Sequence, residues 1–439
     1  MLKWAFFAAS VFALGTWLFI IISGKFQERK FFAEVQRRQS MGDKVLVDDF
    51  RTVPPPDDEN AATYLQKASD QLRLNPHEQW LIDGVGDYRP SEEAKSFVAQ
   101  YSSAHPQIRG LIHQAESCPQ VDWHVKWRSP ALEVLMPYLD PQRELVHFLY
   151  AVGICEHEAG DDAAALQTAR DIFFLARAVD IRSPMVGHLV AIGLEQMGAD
   201  LCLRLADPVA PPSAQDKSDL SAVAQLMIAG LCEDAVFRSQ FDAAVRADRM
   251  VQVDSVIHLP ATKFEVFSAG NALLEDDDQA ILAVAQPSWP VAHTMLPSAP
   301  RKSEPYFAQL MAFPWWRAFE SEFRTEAERH GAAIAIACRL YADDHDGKWP
   351  PDLSALVPDY LPAIPSDPFD AQLRPMKYLP GNPPAIYSIS IDGIDNKGDR
   401  TGAIRYHDGF SYNPWLSPDA VLPIGGVVEP AEKRPPEEP

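Results

Sequence analysis

Residues 145–179 read LVHFLYAVGICEHEAGDDAAALQTARDIFFLARAV. Leu145, Phe148, Leu149, Val152 and Cys155 recur at helical spacing. Gly160, Asp161 and Asp162 break the pattern with a tight turn and a capping carboxylate. From Ala163 to Val179 the helical period resumes. Two helices joined by so short a turn lie antiparallel, so the unit read here is an αα-hairpin.

Working outward, the same period continues on both sides. Upstream, Ala62, Leu65, Ala68 and Leu72 share one helix face. Phe97, Tyr101, Ile108, Leu111 and Ile112 mark another helix, interrupted at His105-Pro106. Arg51 to Asp58 is a stiff, polar boundary, and Asp58 or Asn60 is placed to cap the helix beginning near Ala61. Downstream, Ser183-Pro184 opens a helix that ends near Asp207-Pro208, and residues 213–247 supply one or two more. Strand-like alternation is absent, so residues 59–250 are expected to form an all-helical body. Gly153 and Gly187 stand 34 residues apart, as do Ala165 and Ala199. That is the spacing of tetratricopeptide repeats, but the tryptophan and tyrosine positions do not match. A repeat array and an irregular bundle both remain open.

The amino terminus carries a different signal. Trp4 to Ser23 reads WAFFAASVFALGTWLFIIIS, twenty residues without a charge. At about 1.5 Å per residue this spans the hydrocarbon core of a bilayer, about 30 Å thick. No small-x-small cleavage site follows, so residues 1–24 are expected to be an uncleaved transmembrane anchor. Residues 25–58 are read as a juxtamembrane helix and linker. Lys3 precedes the span, whereas Lys25, Arg29, Lys30, Arg37 and Arg38 follow it. On that count alone the positive-inside rule would leave the body in the cytoplasm, although large domains translocate despite the bias.

The chain of 439 residues has a net charge of −22. Residues 1–54 hold eight basic and five acidic side chains, so the remainder carries about −25. Such a surface repels phosphate backbones, which argues against nucleic acid as a partner. Cys118, Cys155, Cys202, Cys232 and Cys338 form no C-x-x-C pair, which leaves buried thiols, or one disulfide in an oxidising compartment.

Residues 251–318 are interrupted by Pro287, Pro290, Pro297, Pro300, Pro305 and Pro314, and are expected to be irregular. Residues 426–439 are read as a disordered tail. Between them, residues 319–425 change character. A long amphipathic helix runs from Glu320 to Asp343, with Ala332, Ile334, Ile336, Ala337, Leu340 and Tyr341 apolar. A short capped helix follows at Asp352–Val357, and then strand candidates at 375–379 and 385–390. The fold class is therefore mainly α, with a small carboxy-terminal α+β domain in which a long helix packs on a short antiparallel sheet.

The order of pieces here is distinctive. It comprises Leu340-Tyr341, Asp346-Gly347-Lys348-Trp349-Pro350, Leu356-Val357-Pro358, Tyr360-Leu361, Ile364-Pro365-Ser366-Asp367-Pro368-Phe369, Tyr378 and Ile386-Tyr387-Ser388. In that order they resemble the globular domain of the major pseudopilin of type II secretion. Large envelope proteins of planctomycete-like bacteria are similar in joining an anchor, a helical body and such an ending. The family's Gly-Phe-Thr-Leu-Ile-Glu processing site is missing before the Trp4–Ser23 helix. The resemblance implies calcium at the loop after the Tyr-Ser strand, which maps onto Asp392, Asp395, Asn396 and Asp399. Hard oxygen donors flanked by Gly393 and Gly398 suit that ion, although the spacing is not that of an EF-hand.

No G-x-S-x-G, H-E-x-x-H, Walker loop or Rossmann glycine set is present. Glu156-His157-Glu158 are neighbours whose side chains diverge on a helix, and Asp343–Asp346 lie where the resemblance implies a surface loop. Trp123 to Trp127 reads as a core corner rather than a stacking platform. The expected function is a membrane-tethered, non-enzymatic envelope protein, with other envelope or secretion-machine proteins as partners. The resemblance implies a single-pass protein of a bacterial inner membrane with an extracytoplasmic body. The alternatives are an accessory of a type II secretion or pilus-like machine, or a hydrolase with an unrecognised site.

Overall fold

The apolar run and the charged stretch behind it form one unbroken helix, α1 (Leu2–Ser40), in the computed structural model, which describes residues 2–86, 90–209, 214–259, 261–296, 313–405 and 411–426. Taken singly, α1 is the one helix among the described residues that is long and apolar enough to cross a membrane. Phe12, Trp17, Phe19 and Ile22 on it are exposed. Beyond Gly24 the same helix becomes part of the body. Phe31 and Val35 are buried against α11 (Lys263–Val284), with the Phe31 ring 5.4 Å from that of Phe267. Gly270 permits this approach, because a Cβ there would lie 2.8 Å from the Phe31 ring.

The helical body comprises α2 (Ala61–Gln71), α3 (Pro76–Val85), α4 (Glu92–Ala104), α5 (Gln107–Glu116), α6 (Leu139–Glu158), α7 (Asp162–Asp180), α8 (Met185–Leu205), α9 (Ala214–Leu231) and α10 (Asp234–His258). The caps are those the sequence suggests. Asn60 accepts the Ala62 amide, and Asp161, in the hairpin turn, accepts that of Ala164 at 3.1 Å. Trp123 stacks on Tyr138 at 4.5 Å and donates its indole N–H to the Ala178 carbonyl, which makes it a core corner.

One expectation is corrected. Residues 251–318 are not irregular where they are described: α10 runs on to His258, α11 has 22 residues, and α12 spans Trp289–Met295. The prolines sit at helix edges. Pro287 separates α11 from α12, Pro290 lies in the first turn of α12, where a missing N–H costs little, and Pro314 precedes the helix that begins at Trp315. Pro297, Pro300 and Pro305 lie outside the described residues, as does the expected tail from 427 onward.

Helix α13 (Trp315–Asp344) is the structural axis and is buried along most of its length. It packs on α8 and α9, and on a sheet of order β1 (Lys377–Leu379), β2 (Ala385–Ser388), β5 (Ala420–Pro423), antiparallel throughout. Tyr378 faces Ile386, and Ile386 faces Leu422. A Cβ on Gly331 would overlap Leu422, so helix and sheet meet more closely there than alanine would permit. β3 (Ile404–Arg405) and β4 (Ser411–Tyr412) form a separate pair. Leu145, Leu166, Leu194, Ile334, Ile386 and Leu422 belong to one apolar core, which therefore runs from the hairpins through α13 into the sheet.

Candidate functional site

The acidic turn after β2 is held by its own backbone. Asp392 accepts the Ile394 amide, Asp395 those of Lys397 and the Tyr387 hydroxyl, and Asp399 that of Thr401. Asn396 donates its side-chain N–H to the Ile394 carbonyl at 3.0 Å. Asp419, fully buried before β5, is the shared acceptor, receiving the amides of Asn396, Gly398 and Asp399. Among the described residues, the acid and histidine trios whose ligand atoms all lie within 4.8 Å of one another do not include this turn. The carboxylates of Asp392, Asp395 and Asp399 are thus adjacent in sequence but turned toward separate amides.

A second polar set lies along α13. Glu322, Glu326 and His330, four residues apart, share one helix face and are all buried. His188 of α8 lies between Asp180, 2.9 Å from Nδ1, and Glu322, 3.0 Å from Nε2. Both ring nitrogens face carboxylates, so the imidazole holds two protons. Burial opposes that charge, but Asp180 and Glu322 outweigh it and push the group up to about 10. Arg329 pairs with Glu195 at 3.2 Å and donates to the Gly230 carbonyl. Arg238 pairs with Glu326 at 2.7 Å. His330 donates from Nδ1 to the Ser366 carbonyl and meets Asp234 through Nε2 at 2.9 Å. Four cations thus face five carboxylates. The surplus falls on Glu322, whose Oε1 has no hydrogen-bond partner, and burial pushes its carboxyl up to about 7 against the pull of His188. This seam ties α8 and α10 to α13.

A third set opens to solvent. α5 presents His113 and Glu116 one turn apart, and α7 presents Asp171 beneath them. Asp171 is fully buried. Its Oδ1 accepts from Gln167 at 3.0 Å, whereas Oδ2 has no hydrogen-bond partner. His113 Nε2 and Arg109 Nε stop 3.6 and 3.8 Å from that oxygen. Burial pushes the Asp171 carboxyl up to about 6. Beside the trio lies a cleft of about 340 Å³, lined by Glu116, Arg170, Phe173, Phe174, Arg177 and Met227 among others. Neither Arg170 nor Arg177 pairs with a carboxylate among the described residues, and Arg177 makes one long contact of 3.4 Å to the Gly230 carbonyl.

The remaining clusters separate as helical geometry requires. Glu156 turns to Arg109, His157 to Asp162 and Glu158 to Lys95. Asp343 pairs with Arg339, Asp344 accepts from Tyr360, and His345 stacks on Tyr341. All five cysteines are free thiols, with Cys202 and Cys338 buried. Sequence reading passed over the seam and the trio. The available signals were the four-residue recurrence of Glu322, Glu326 and His330, the His113-x-x-Glu116 spacing, and a lone carboxylate, Asp171, inside an apolar helix face. In comparisons with known proteins, no family model, no curated protein and no solved structure matches the chain.

Proposed function

We propose that this is a membrane-tethered, non-enzymatic envelope protein whose helical body and pseudopilin-like ending offer docking surfaces to other envelope proteins. The observation that carries the reading is the mounting of the body on its anchor. α1 passes without a break from the apolar stretch into contacts with α11: Phe31 on Phe267, Arg38 with Asp278 and the Leu274 carbonyl, and Lys263 with Glu28 at 2.6 Å. Such a body stands at a set distance and orientation from the membrane, which suits a scaffold.

The same contacts support an extracytoplasmic body in a bacterial inner membrane. Lys30 and Arg38 of the basic flank pair with Glu275 and Asp278 of α11, so docking accounts for these two cations without a topological role, while Arg37 pairs with Glu34 within α1. A role as accessory to a type II secretion or pilus-like machine is favoured by the long helix lying on an antiparallel sheet in the order the resemblance implies. Calcium at Asp392, Asp395, Asn396 and Asp399 would have to draw on backbone carbonyls and water as well, since it needs six to eight oxygens. Calorimetry of the full chain with millimolar calcium tests that point, and absence of heat removes it. For the function itself, reporter fusions at the carboxyl terminus combined with crosslinking in intact membranes are decisive. An extracytoplasmic reporter and recovered envelope proteins are expected. A cytoplasmic reporter would overturn the reading.

A further inference from the structure

The geometry points to a binding site for a divalent metal ion of the zinc class, formed by His113, Glu116 and Asp171 and independent of the docking role above. One ligand atom from each of the three lies within 4.8 Å of the other two. Donors about 2.0–2.2 Å from one ion stand roughly 3.5 Å apart, which is the separation of His113 Nε2 and Asp171 Oδ2 at 3.6 Å; Glu116 need only close the remaining gap. An imidazole nitrogen with two carboxylate oxygens is a mixed donor set that zinc accepts and that the oxygen-seeking calcium and magnesium do not prefer.

The argument rests on more than the trio. Asp171 has no exposed surface, yet its Oδ2 lacks a hydrogen-bond donor. A buried carboxylate oxygen in that state is costly unless a cation approaches it. The nearest guanidinium does not serve: Arg109 directs Nη1 to Glu156 at 2.9 Å and Nη2 to Thr168, leaving Nε 3.8 Å away. His113 Nε2 sits 3.6 Å away, too far for a hydrogen bond and close enough to share an ion with that oxygen. The site is also reachable, because His113 and Glu116 are exposed and Glu116 lines the adjoining cleft. Water from that side would complete the coordination, and the ion would fasten α5 to α7.

The other such trio among the described residues, Asp234, Glu326 and His330, provides the contrast. There Glu326 Oε2 also has no hydrogen-bond partner, but Arg238 holds the same carboxylate at 2.7 Å, the Ser366 carbonyl takes the His330 Nδ1 proton and Nε2 donates to Asp234, so protein cations already meet both carboxylates closely.

The test uses the full chain in detergent micelles, stripped with a chelator and titrated calorimetrically with Zn²⁺, with Mg²⁺ and Ca²⁺ in parallel. The expected result is a Zn²⁺ site that His113→Ala and Asp171→Asn each weaken by more than about ten-fold, while Asp234→Asn leaves it unchanged. His113 is half-exposed, so His113→Ala keeps the test valid if the buried Asp171→Asn variant misfolds. Zinc heats identical in wild type and His113→Ala, no zinc binding at millimolar concentration, or a weakening by Asp234→Asn alone would each overturn the assignment.

Discussion

The carboxylates along α13 and the carboxylate of Asp171 are equally hidden from water but met differently. Glu195 has Arg329, Glu326 has Arg238, and Asp180 shares His188 with Glu322, each within 3.2 Å. Asp171 Oδ2 has only two groups beyond 3.5 Å, one of them committed elsewhere. A buried anion is tolerated where the fold brings a cation to it and becomes an opening for a foreign cation where the fold does not. The seam is therefore read as structure and the trio as a site, although both consist of the same residue types.

The largest way to break the comparison is to remove a seam cation. Arg329→Met strands Glu195, and unfolding in denaturant is expected to show a loss of about 3–5 kcal/mol. A change below about 1 kcal/mol would mean that the seam does not hold α8 to α13. Zinc should act on the other region. At about 100 times its Kd it should stabilise the wild-type chain by about 2.7 kcal/mol in thermal unfolding and leave His113→Ala unmoved.

Acidity separates the regions further. His188 is raised from 6.5 to about 10, so its contribution is complete below pH 6.5 and is lost as pH rises through about 10. Glu322 is raised from 4.5 to about 7, so its folded form also holds the extra proton, and stability falls as pH rises between those values. Both act in one direction. Melts at rising pH should show a decline on the order of 2 kcal/mol, which His188→Gln should flatten; a rise in stability would contradict the seam's charge assignment. The smallest effect is expected from Asp171→Asn without metal. Losing an oxygen that has no hydrogen-bond partner should leave stability unchanged or raise it by about 1 kcal/mol, whereas Glu326→Gln, which abandons Arg238, should lower it.

The fold was largely legible because its signals are local. Apolar spacing around Leu145–Val179, the Asp161 cap and the uncharged run at Trp4–Ser23 each lie within one element. The error over the described part of 251–318 arose from counting prolines without asking whether they fell at helix edges, as Pro287, Pro290 and Pro314 do. β5 was missed because Ala420–Pro423 is four residues long, too short to carry a period. In the acidic turn the carboxylates were visible, but not the amides they would accept; the residue that binds the turn together, Asp419, lies 21 residues beyond Gly398.

What the sequence determined by itself was the long apolar amino-terminal helix, the hairpins and the order of the long helix and first two strands at the carboxyl end, since periodicity and capping act over a few residues. What the tertiary structure alone decided was which charges are buried and what they face. Glu322 meets His188 across 134 positions, and Arg329 meets Glu195 across the same distance. Asp171, only 58 positions from His113, is left without a donor. Pairing of that kind depends on how helices pack, and packing is a property of the whole chain.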